Sequence, residues 1–320
     1  MKKNKNLSSV LTIFALLAFV LVLSFCQSET PKEEVKEVSK KKIGLLLVNH
    51  GSRSETWRNA LLELEKSVKD SILKGGVVQE TKTAFMEYTE PSIATRLKEF
   101  DKEGYTDVII VPIFLTVSPH SFDDIPTIIG QKENPESVEA LKLEKIERYT
   151  PKAKTHLTPL LDFTDMLQKN VLRRTLAISK DKENEGLVLM AYGDVTYVKE
   201  WSAFLNKVGD YVEQNSGLTE HSFGWCGHIA SYSPDSTTAA IKRVLKTKKT
   251  AVVIPVLVAH DEMFQIKIIG DGIAKIKDSK EKVIYKPDAI LPDANLESWV
   301  IKVTREFSDK IQNTAVAELK

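Results

Sequence analysis

Two copies of one sequence pattern lie in this chain, and the repeat constrains the fold more than any other feature. The segment GLLLVNHGSRSETW, which begins at Gly44, is echoed by GLVLMAYGDVTYVKEW, which begins at Gly186. Further along, Pro112 of the first copy recurs 143 residues later as Pro255. Matches in the same order at a nearly constant offset indicate two tandem domains.

Each copy alternates short apolar runs with amphipathic segments. Residues 108–115 and 251–259 are apolar on both faces and rich in β-branched side chains, as is typical of central parallel strands. Strands that alternate with helices at this spacing predict right-handed βαβ units. We therefore predict an α/β fold with two tandem lobes, at residues 43–180 and 183–318. Each lobe is a parallel sheet with helices on both faces, and the lobes face each other across a cleft.

The N-terminal segment is typical of an export signal rather than of a globular fold. In residues 1–26, a lysine-rich start precedes an almost unbroken apolar stretch, and Cys26 closes the segment. This end resembles the lipobox of bacterial lipoproteins, although Phe25 departs from the small residue that a lipobox prefers. We expect an exported, membrane-attached lipoprotein that faces the periplasm, with residues 27–42 as a solvated tether. An uncleaved membrane anchor is the alternative.

Charge and cysteine content limit the partners and the covalent links. Removing the signal leaves 42 basic residues (45 − 3) against 44 acidic ones, which gives no reason to expect a nucleic-acid partner. If Cys26 carries lipid, Cys226 is the only other cysteine, so an internal disulfide is not possible. The Cys-Gly-His stretch at 226–228 lacks the further ligands of a closed zinc site, so we expect Cys226 to be a buried structural residue. The sequence makes no prediction of the oligomeric state.

Three polar residues follow strands of the first predicted lobe. His50 comes directly after the first strand, Glu87 follows the strand implied by residues 77–85, and His120 lies beyond the strand that ends near residue 115. Ligands of open parallel sheets bind beyond the carboxyl ends of the strands, so these side chains can converge at one edge. Each residue alone would more often be structural, but together they favour one shared site.

Two imidazoles and one carboxylate suit a divalent first-row metal. Imidazole favours cobalt, nickel, iron or zinc over calcium or magnesium, and three protein ligands leave coordination positions open. The carboxylate could also act as a base. The neighbouring pair Asp123 and Asp124 either lines a path for the metal or caps the following helix.

The segments that carry these residues resemble those of a known family. NHGSR after an apolar strand, then AFMEYTEPSI, then VPIFLTVSPHSFDDIP look like the three signature segments of the sirohydrochlorin cobaltochelatases of the CbiX type. These are class II chelatases, and the long members are themselves tandem two-lobed chains. The similarity is strongest over residues 43–126 and extends to the second copy through the repeat.

The resemblance implies both an activity and residue roles. Members of this family insert cobalt, nickel or ferrous iron into a carboxylate-rich tetrapyrrole, without ATP or an organic cofactor, in a lyase reaction of cobalamin biosynthesis. We therefore expect cobalt first as the metal, sirohydrochlorin or a related ring as the substrate, and His50, Glu87 and His120 as both metal-binding and catalytic residues. Arg53, near a helix N-terminus, could bind a carboxylate of the ring. A role as an ordinary surface arginine is equally compatible with the sequence.

The second copy departs from the metal-binding pattern. Tyr192 and Ala230 stand where the first copy has its first histidine and its acid. Only His260 keeps the position of His120, after a shorter segment. We therefore expect one metal site, in the first lobe, with the second lobe as the other wall of the cleft. Tyr192 and His260 are candidates for contact with the ring, and His260 is equally compatible with a packed position at a strand end.

Export leaves two function classes open. The chain could be an enzyme that metallates a ring outside the cytoplasm. Alternatively, it could be a chelatase-like binding lipoprotein that captures metal or tetrapyrrole without catalysis. A periplasmic solute-binding protein of the α/β kind is disfavoured by the repeat and by the concentration of the site residues in one lobe.

Overall fold

The computed structural model describes residues 41–161 and 165–317, which belong to one compact unit. The predicted export signal with Cys26, and the tether up to residue 40, lie outside the described residues. Among the helices that are described, none combines the length and the apolar character needed to cross a bilayer.

The first lobe is a four-stranded parallel sheet. Its strands are β1 (Ile43–Asn49), β2 (Val78–Phe85), β3 (Asp107–Pro112) and β4 (Lys154–Leu157). The helices that follow them in this half of the chain are α1 (Glu55–Leu73), α2 (Ile93–Lys102), α3 (Ile125–Ile128), α4 (Pro135–Leu143) and α5 (Met166–Ile178). The sheet order is β2-β1-β3-β4, and every residue of the two central strands is buried because helices cover both faces.

The second lobe repeats this topology. Its strands are β5 (Glu185–Ala191), β6 (His221–Trp225), β7 (Thr250–Val256) and β8 (Val283–Tyr285). Its helices are α6 (Val198–Ser216), α7 (Asp235–Val244), α8 (Gly270–Ala274), α9 (Ser279–Lys282) and α10 (Ala294–Ala317). The order β6-β5-β7-β8, again parallel, matches that of the first sheet strand for strand. The predicted α/β fold with two tandem lobes is confirmed.

Helix α1 forms as its sequence pattern predicts. The side chain of Ser54 caps its start by accepting a hydrogen bond from the backbone N–H of Trp57. Leu61, Leu64 and Val68 are buried at helical spacing on the face toward the sheet. This helix therefore begins just after the loop that follows β1, and its start fixes where that loop ends.

The packing of two helices crosses the boundary between the lobes in the sequence. Helix α5 precedes the second sheet in the chain but packs against α6 and β7, and Arg174 in it donates a hydrogen bond of 2.8 Å to the carbonyl of Pro255. Helix α10 follows the second sheet in the chain but packs against α1 and β3 of the first lobe, where Arg305 donates to the carbonyl of Ser71. One hydrophobic cluster consequently runs through both lobes, and a separate cluster covers the outer face of each sheet.

Candidate metal and ring-binding site

The three predicted metal ligands of the first lobe come together. One potential ligand atom from each of His50, Glu87 and His120 lies within 4.8 Å of the others. Nε2 of His50 is 3.9 Å from Oε1 of Glu87, and the rings of the two histidines meet edge to face with centroids 4.9 Å apart. The histidines are partly exposed and Glu87 is buried at 8% exposure, so the group opens toward solvent on the imidazole side. An ion held here could be reached by a second molecule.

Backbone pairing that continues past the strand ends positions His50 and Glu87. The N–H of Met86 donates to the carbonyl of Asn49, and the N–H of Glu87 donates to that of His50, both at 2.8 Å. Gly51 makes this possible because its φ is +102°, and a Cβ on it would lie 2.1 Å from the carbonyl oxygen of Glu87. The glycine is needed where the two chain segments touch, and the histidine before it is free to face the site.

A carboxylate orients His120. The residue begins a π-helical turn at 120–124, and its Nδ1–H donates to Oδ2 of Asp124 at 2.7 Å. Burial on its own would lower the pKa of His120, but this hydrogen bond and the charge of Asp124 raise the pKa above its usual value. With Nδ1 engaged, Nε2 is the nitrogen left for a metal, which is the arrangement that metal-binding histidines commonly show.

The two neighbouring aspartates have different roles. The prediction that this pair caps a helix is wrong for Asp124, because its side chain makes no cap hydrogen bond and binds His120 instead. Asp123 pairs with Lys132 and accepts a hydrogen bond from Asn134 at 3.1 Å. The spacing of four residues between histidine and aspartate on a helical turn is a sequence signal that could have identified this contact.

Other charged groups surround the pair of histidines. Burial lowers the pKa of His50; Glu87 opposes this effect, whereas the charges of His120 and His228 add to it. A neutral imidazole can offer a lone pair to a cation. Glu144, which the sequence reading did not single out, has its pKa raised by burial and then by the charge of Glu87, so it lies within electrostatic reach of the site.

Arg53 lies at the margin of this group. It is exposed in the loop between β1 and α1, with its guanidinium 5.2 Å from the ring centre of Tyr88. The Tyr88 ring in turn lies 6.0 Å from the ring of His50. Burial and the carboxylate of Glu87 raise the pKa of Tyr88 to about 12, so its hydroxyl stays protonated at neutral pH. Binding of a ring carboxylate by Arg53 remains a prediction.

In the second lobe, the tyrosine assignment agrees with the structure and the alanine assignment does not. The N–H of Gly227 donates to the carbonyl of Tyr192 at 3.0 Å, which repeats the bond from Glu87 to His50. Tyr192 therefore occupies the position of His50, but Gly227 occupies the position of Glu87. Ala230 lies in a short 3₁₀ turn farther on, so its predicted equivalence to Glu87 is wrong. The offset of 143 between matched prolines does not hold at the end of this strand.

His260 is also not the counterpart of His120. In the first lobe, the carbonyl of Ser118 accepts hydrogen bonds from the N–H groups three and four residues later, and the carbonyl of Asp261 does the same in the second lobe. The offset of 143 between these two residues makes Met263 the equivalent of His120. The ring of His260 instead faces the backbone, with Nδ1 2.9 Å from the carbonyl of Pro287.

An aromatic cluster occupies the place of the metal group in the second lobe. The hydroxyl of Tyr192 lies 3.0 Å from that of Tyr232, which lies 3.2 Å from Nδ1 of His228. The rings of His228 and Phe264 stand edge-on to the Tyr192 ring, at 5.3 and 5.4 Å. Since a charge on His228 lowers the pKa of His50, this cluster lies within electrostatic reach of the metal group. Sequence reasoning missed His228, and the buried state predicted for Cys226 beside it is confirmed.

Contacts between the carboxyl edges of the two sheets hold these groups in position. The hydroxyl of Ser52, two residues after His50, donates to Oδ2 of Asp261 at 2.8 Å. The indole N–H of Trp201 in α6 donates to the carbonyl of Val117, three residues before His120, at 3.1 Å. Each lobe thus fixes a loop of the other at the edge where the predicted ligands lie.

Known proteins match both the sequence and the fold. The CbiX family profile matches residues 44–177. A sirohydrochlorin cobaltochelatase of Methanococcoides burtonii is 35% identical over 102 residues, which cover 31% of this chain and 70% of that protein. The chain belongs to the CbiX family. The resemblance that we drew from three sequence segments is thereby confirmed.

Two further matches show how far the similarity of this CbiX-family chain extends. A sirohydrochlorin cobaltochelatase of Methanococcus maripaludis is 33% identical over 86 residues, which are 27% of this chain and 57% of that protein. The crystal structure of the sirohydrochlorin chelatase SirB from Bacillus subtilis subspecies spizizenii in complex with cobalt aligns with a TM-score of 0.60 at 18% identity. That alignment covers 85% of this chain and 97% of SirB, so both lobes share its fold.

Proposed function

We propose that this chain inserts a divalent metal into sirohydrochlorin or a related tetrapyrrole, with cobalt first and nickel or iron as alternatives. The observation that carries the proposal is the convergence of His50, Glu87 and His120 at one sheet edge. The names of the archaeal relatives and the cobalt in the SirB crystal support both the reaction and the metal. The ion is a substrate in this scheme, and the chain needs neither ATP nor an organic cofactor.

The residues of the site meet the chemical demands of metal insertion. When a divalent ion enters the ring, two pyrrole N–H bonds break, four metal–nitrogen contacts form and two protons leave. His50 and His120 hold the ion with few ligands, so the ring nitrogens can displace them. Glu87 lies 3.9 Å from Nε2 of His50 and either completes the metal shell or accepts a proton.

The second lobe supplies a surface for the ring. A tetrapyrrole is a flat π-system, and the cluster of Tyr192, His228, Tyr232 and Phe264 offers aromatic faces and edges to it. The exposed guanidinium of Arg53 is suited to a peripheral carboxylate. In this proposal the ring lies between the metal group and the aromatic cluster. The Nδ1 atom of His260 is bonded to the backbone, so only the rest of that imidazole is available for contact with the tetrapyrrole.

The N-terminal sequence favours a second candidate function. Its basic start, apolar stretch and Cys26 support an exported, membrane-attached lipoprotein. An exported chelatase-like protein could capture metal or tetrapyrrole at the membrane without turning over. A Cys26→Ala variant should remain unprocessed, and a mature, unmodified chain in the cytoplasm would remove the lipoprotein proposal.

One experiment separates catalysis from capture. The protein is incubated anaerobically with sirohydrochlorin and with Co²⁺, Ni²⁺ or Fe²⁺ in turn, and metallation is followed by absorption. Catalysis predicts many metallated rings per protein, whereas capture predicts at most one bound ring per protein. The His50→Ala/His120→Ala variant is the control, and an unchanged rate in that variant would locate the activity elsewhere.

A further inference from the structure

A second group of potential metal ligands lies at the opposite edge of the second sheet. Asp210 and Glu213 are one helical turn apart on α6, and His221 is the first residue of β6. One potential ligand atom from each lies within 4.8 Å of the others. Because His221 begins its strand, this group is at the amino edge of the second sheet, whereas the aromatic cluster around Tyr192 lies at the carboxyl edge.

A glycine in the middle of α6 makes room for the imidazole. A Cβ on Gly209 would lie 2.3 Å from Cδ2 of His221, so no other residue fits there while the ring keeps its place. Glycine inside a helix is destabilising relative to alanine. Helix α6 thus has a destabilising glycine at the position where the ring of His221 packs against it. Gly209 therefore forms a recess that accommodates this imidazole.

The hydrogen bonds of the ring suit a metal ligand. Nε2 of His221 lies 3.4 Å from Oδ1 of Asn206, one turn before Gly209, and Nδ1 lies 2.6 Å from Oε1 of Glu213. Without an ion, the 2.6 Å contact requires a proton on Nδ1 that is donated to Glu213. A divalent ion would displace this proton and take the lone pair of Nδ1, while Nε2–H donates to the amide oxygen of Asn206. A histidine that donates one ring N–H to an oxygen and offers the other nitrogen to the ion is the usual arrangement of a metal ligand.

We propose that Asp210, Glu213 and His221 form a second site for a divalent first-row cation such as Zn²⁺, Co²⁺ or Ni²⁺. One imidazole and two carboxylates are ligands that these ions accept, and together the two carboxylates carry the charge that balances a divalent ion. Asp210 is exposed and the other two are partly exposed, so an ion can enter from solution. This site does not depend on the proposed chelatase activity.

The test is equilibrium dialysis of the purified full chain against Zn²⁺ alone, with bound metal measured by elemental analysis. His221→Phe keeps a flat ring over Gly209 and removes both nitrogens, and Glu213→Gln keeps size while removing a charge. In a His50→Ala/His120→Ala background, we expect one remaining ion whose affinity falls by about 100-fold or more in either variant. Glu220→Gln, which removes an acid next to His221 but outside the group, is the matched control and should bind as its parent does.

The outcomes of the two site deletions are distinguishable. If the His50→Ala/His120→Ala variant binds no Zn²⁺, this proposal is wrong. His221 and Glu213 would then form only an ion pair. If the parent binds one ion that is lost with His221→Phe but kept without His50 and His120, the second site stands and the first-lobe metal site fails. Circular dichroism of each variant checks that a loss of Zn²⁺ binding does not reflect unfolding. If His221→Phe does not fold, the Zn²⁺ affinity of Glu213→Gln tests the site instead.

Discussion

The carboxylate of Asp124 lies 2.7 Å from Nδ1 of His120. This contact turns the imidazole so that its other nitrogen is available in the group formed with His50 and Glu87. The orientation of the ligand is therefore part of the site, and a residue outside the three proposed ligands should control how well the metal binds.

The first prediction concerns this carboxylate. Asp124→Ala should weaken Co²⁺ binding by about 10- to 100-fold, because His120 loses the acceptor that fixes its ring. Asp123→Ala is the matched control, since the neighbouring side chain pairs with Lys132 and should leave the affinity near that of the parent. Calorimetric titration with Co²⁺ measures both. Equal affinities in the two variants would mean that the contact does not position the ligand.

The second prediction concerns the turn after β1. Gly51→Ala should lower the free energy of unfolding by at least about 2 kcal/mol more than Gly76→Ala. Both glycines have positive φ, which costs an alanine about 1 kcal/mol, but only at Gly51 would the new Cβ overlap the backbone of Glu87. Urea unfolding of the two variants gives the difference. A similar loss in both would show that the chain relaxes around the added methyl group.

The third prediction uses the acid dependence of stability at the far end of the first sheet. Burial would raise the pKa of Asp107, but hydrogen bonds from His156 and Thr106 and the charge of Lys41 hold the pKa below its usual value. A carboxyl group with a lowered folded-state pKa stabilises the protein above the unfolded value of about 3.9, and this stabilisation is lost as the pH falls through the folded value.

Asp107→Asn should therefore lower the free energy of unfolding at pH 7, and its difference from the parent should shrink below about pH 4. Asp235→Asn is the control, because its partner Lys275 is an exposed residue and surface ion pairs contribute little. Urea titrations at several pH values check this. A difference that stays constant from pH 7 to pH 3 would contradict the ion-pair account.

The fourth prediction is an asymmetry between the lobes. His120→Ala should slow metallation much more than His260→Ala, because only the first is close to the other proposed ligands and the second binds a backbone carbonyl. The Tyr192→Phe variant should show an intermediate loss, since it loses the bond to Tyr232 but keeps an aromatic ring in the cluster. Initial rates with Co²⁺ and sirohydrochlorin rank the variants. A greater loss with His260→Ala would move the metal site to the other lobe.

The sequence predicts the first-lobe group well for a physical reason. Parallel strands leave their sheet at one edge, so residues that directly follow apolar strands must lie near each other, as His50 and Glu87 do. His120 could be added because it comes soon after a third strand.

The assignment of Ala230 failed because it carried the offset of the matched prolines back to a strand end, where the backbone hydrogen bonds pair Gly227 with Tyr192 instead. The assignment of His260 failed because it was matched to His120 by residue type, whereas the hydrogen bonds of the following turn make Met263 the equivalent.

Helix packing was less accessible to sequence reasoning. The amphipathic patterns of α5 and α10 show that each helix buries one face, but not which sheet receives it. Both helices pack across the lobe boundary, where Arg174 and Arg305 bond to the backbone of distant elements. Likewise, Gly209 and His221 are far enough apart in the sequence that their contact, and the recess it makes, could not be read from the spacing.

The last prediction separates the two roles proposed for Glu87. Glu87→Gln keeps the size of the side chain but removes the charge and most of its ability to accept a proton. If the residue is mainly a base, the variant should bind Co²⁺ as the parent does and metallate the ring about 10²-fold more slowly or worse. If it is a ligand, affinity and rate should fall together, because an amide oxygen is a poorer donor to the ion than a carboxylate. Titration of Co²⁺ and the absorption assay on the same preparation distinguish the two. If Glu87→Gln binds Co²⁺ and metallates the ring like its parent, both roles of Glu87 are excluded. His50 and His120 would then be the only proposed residues left to hold the ion.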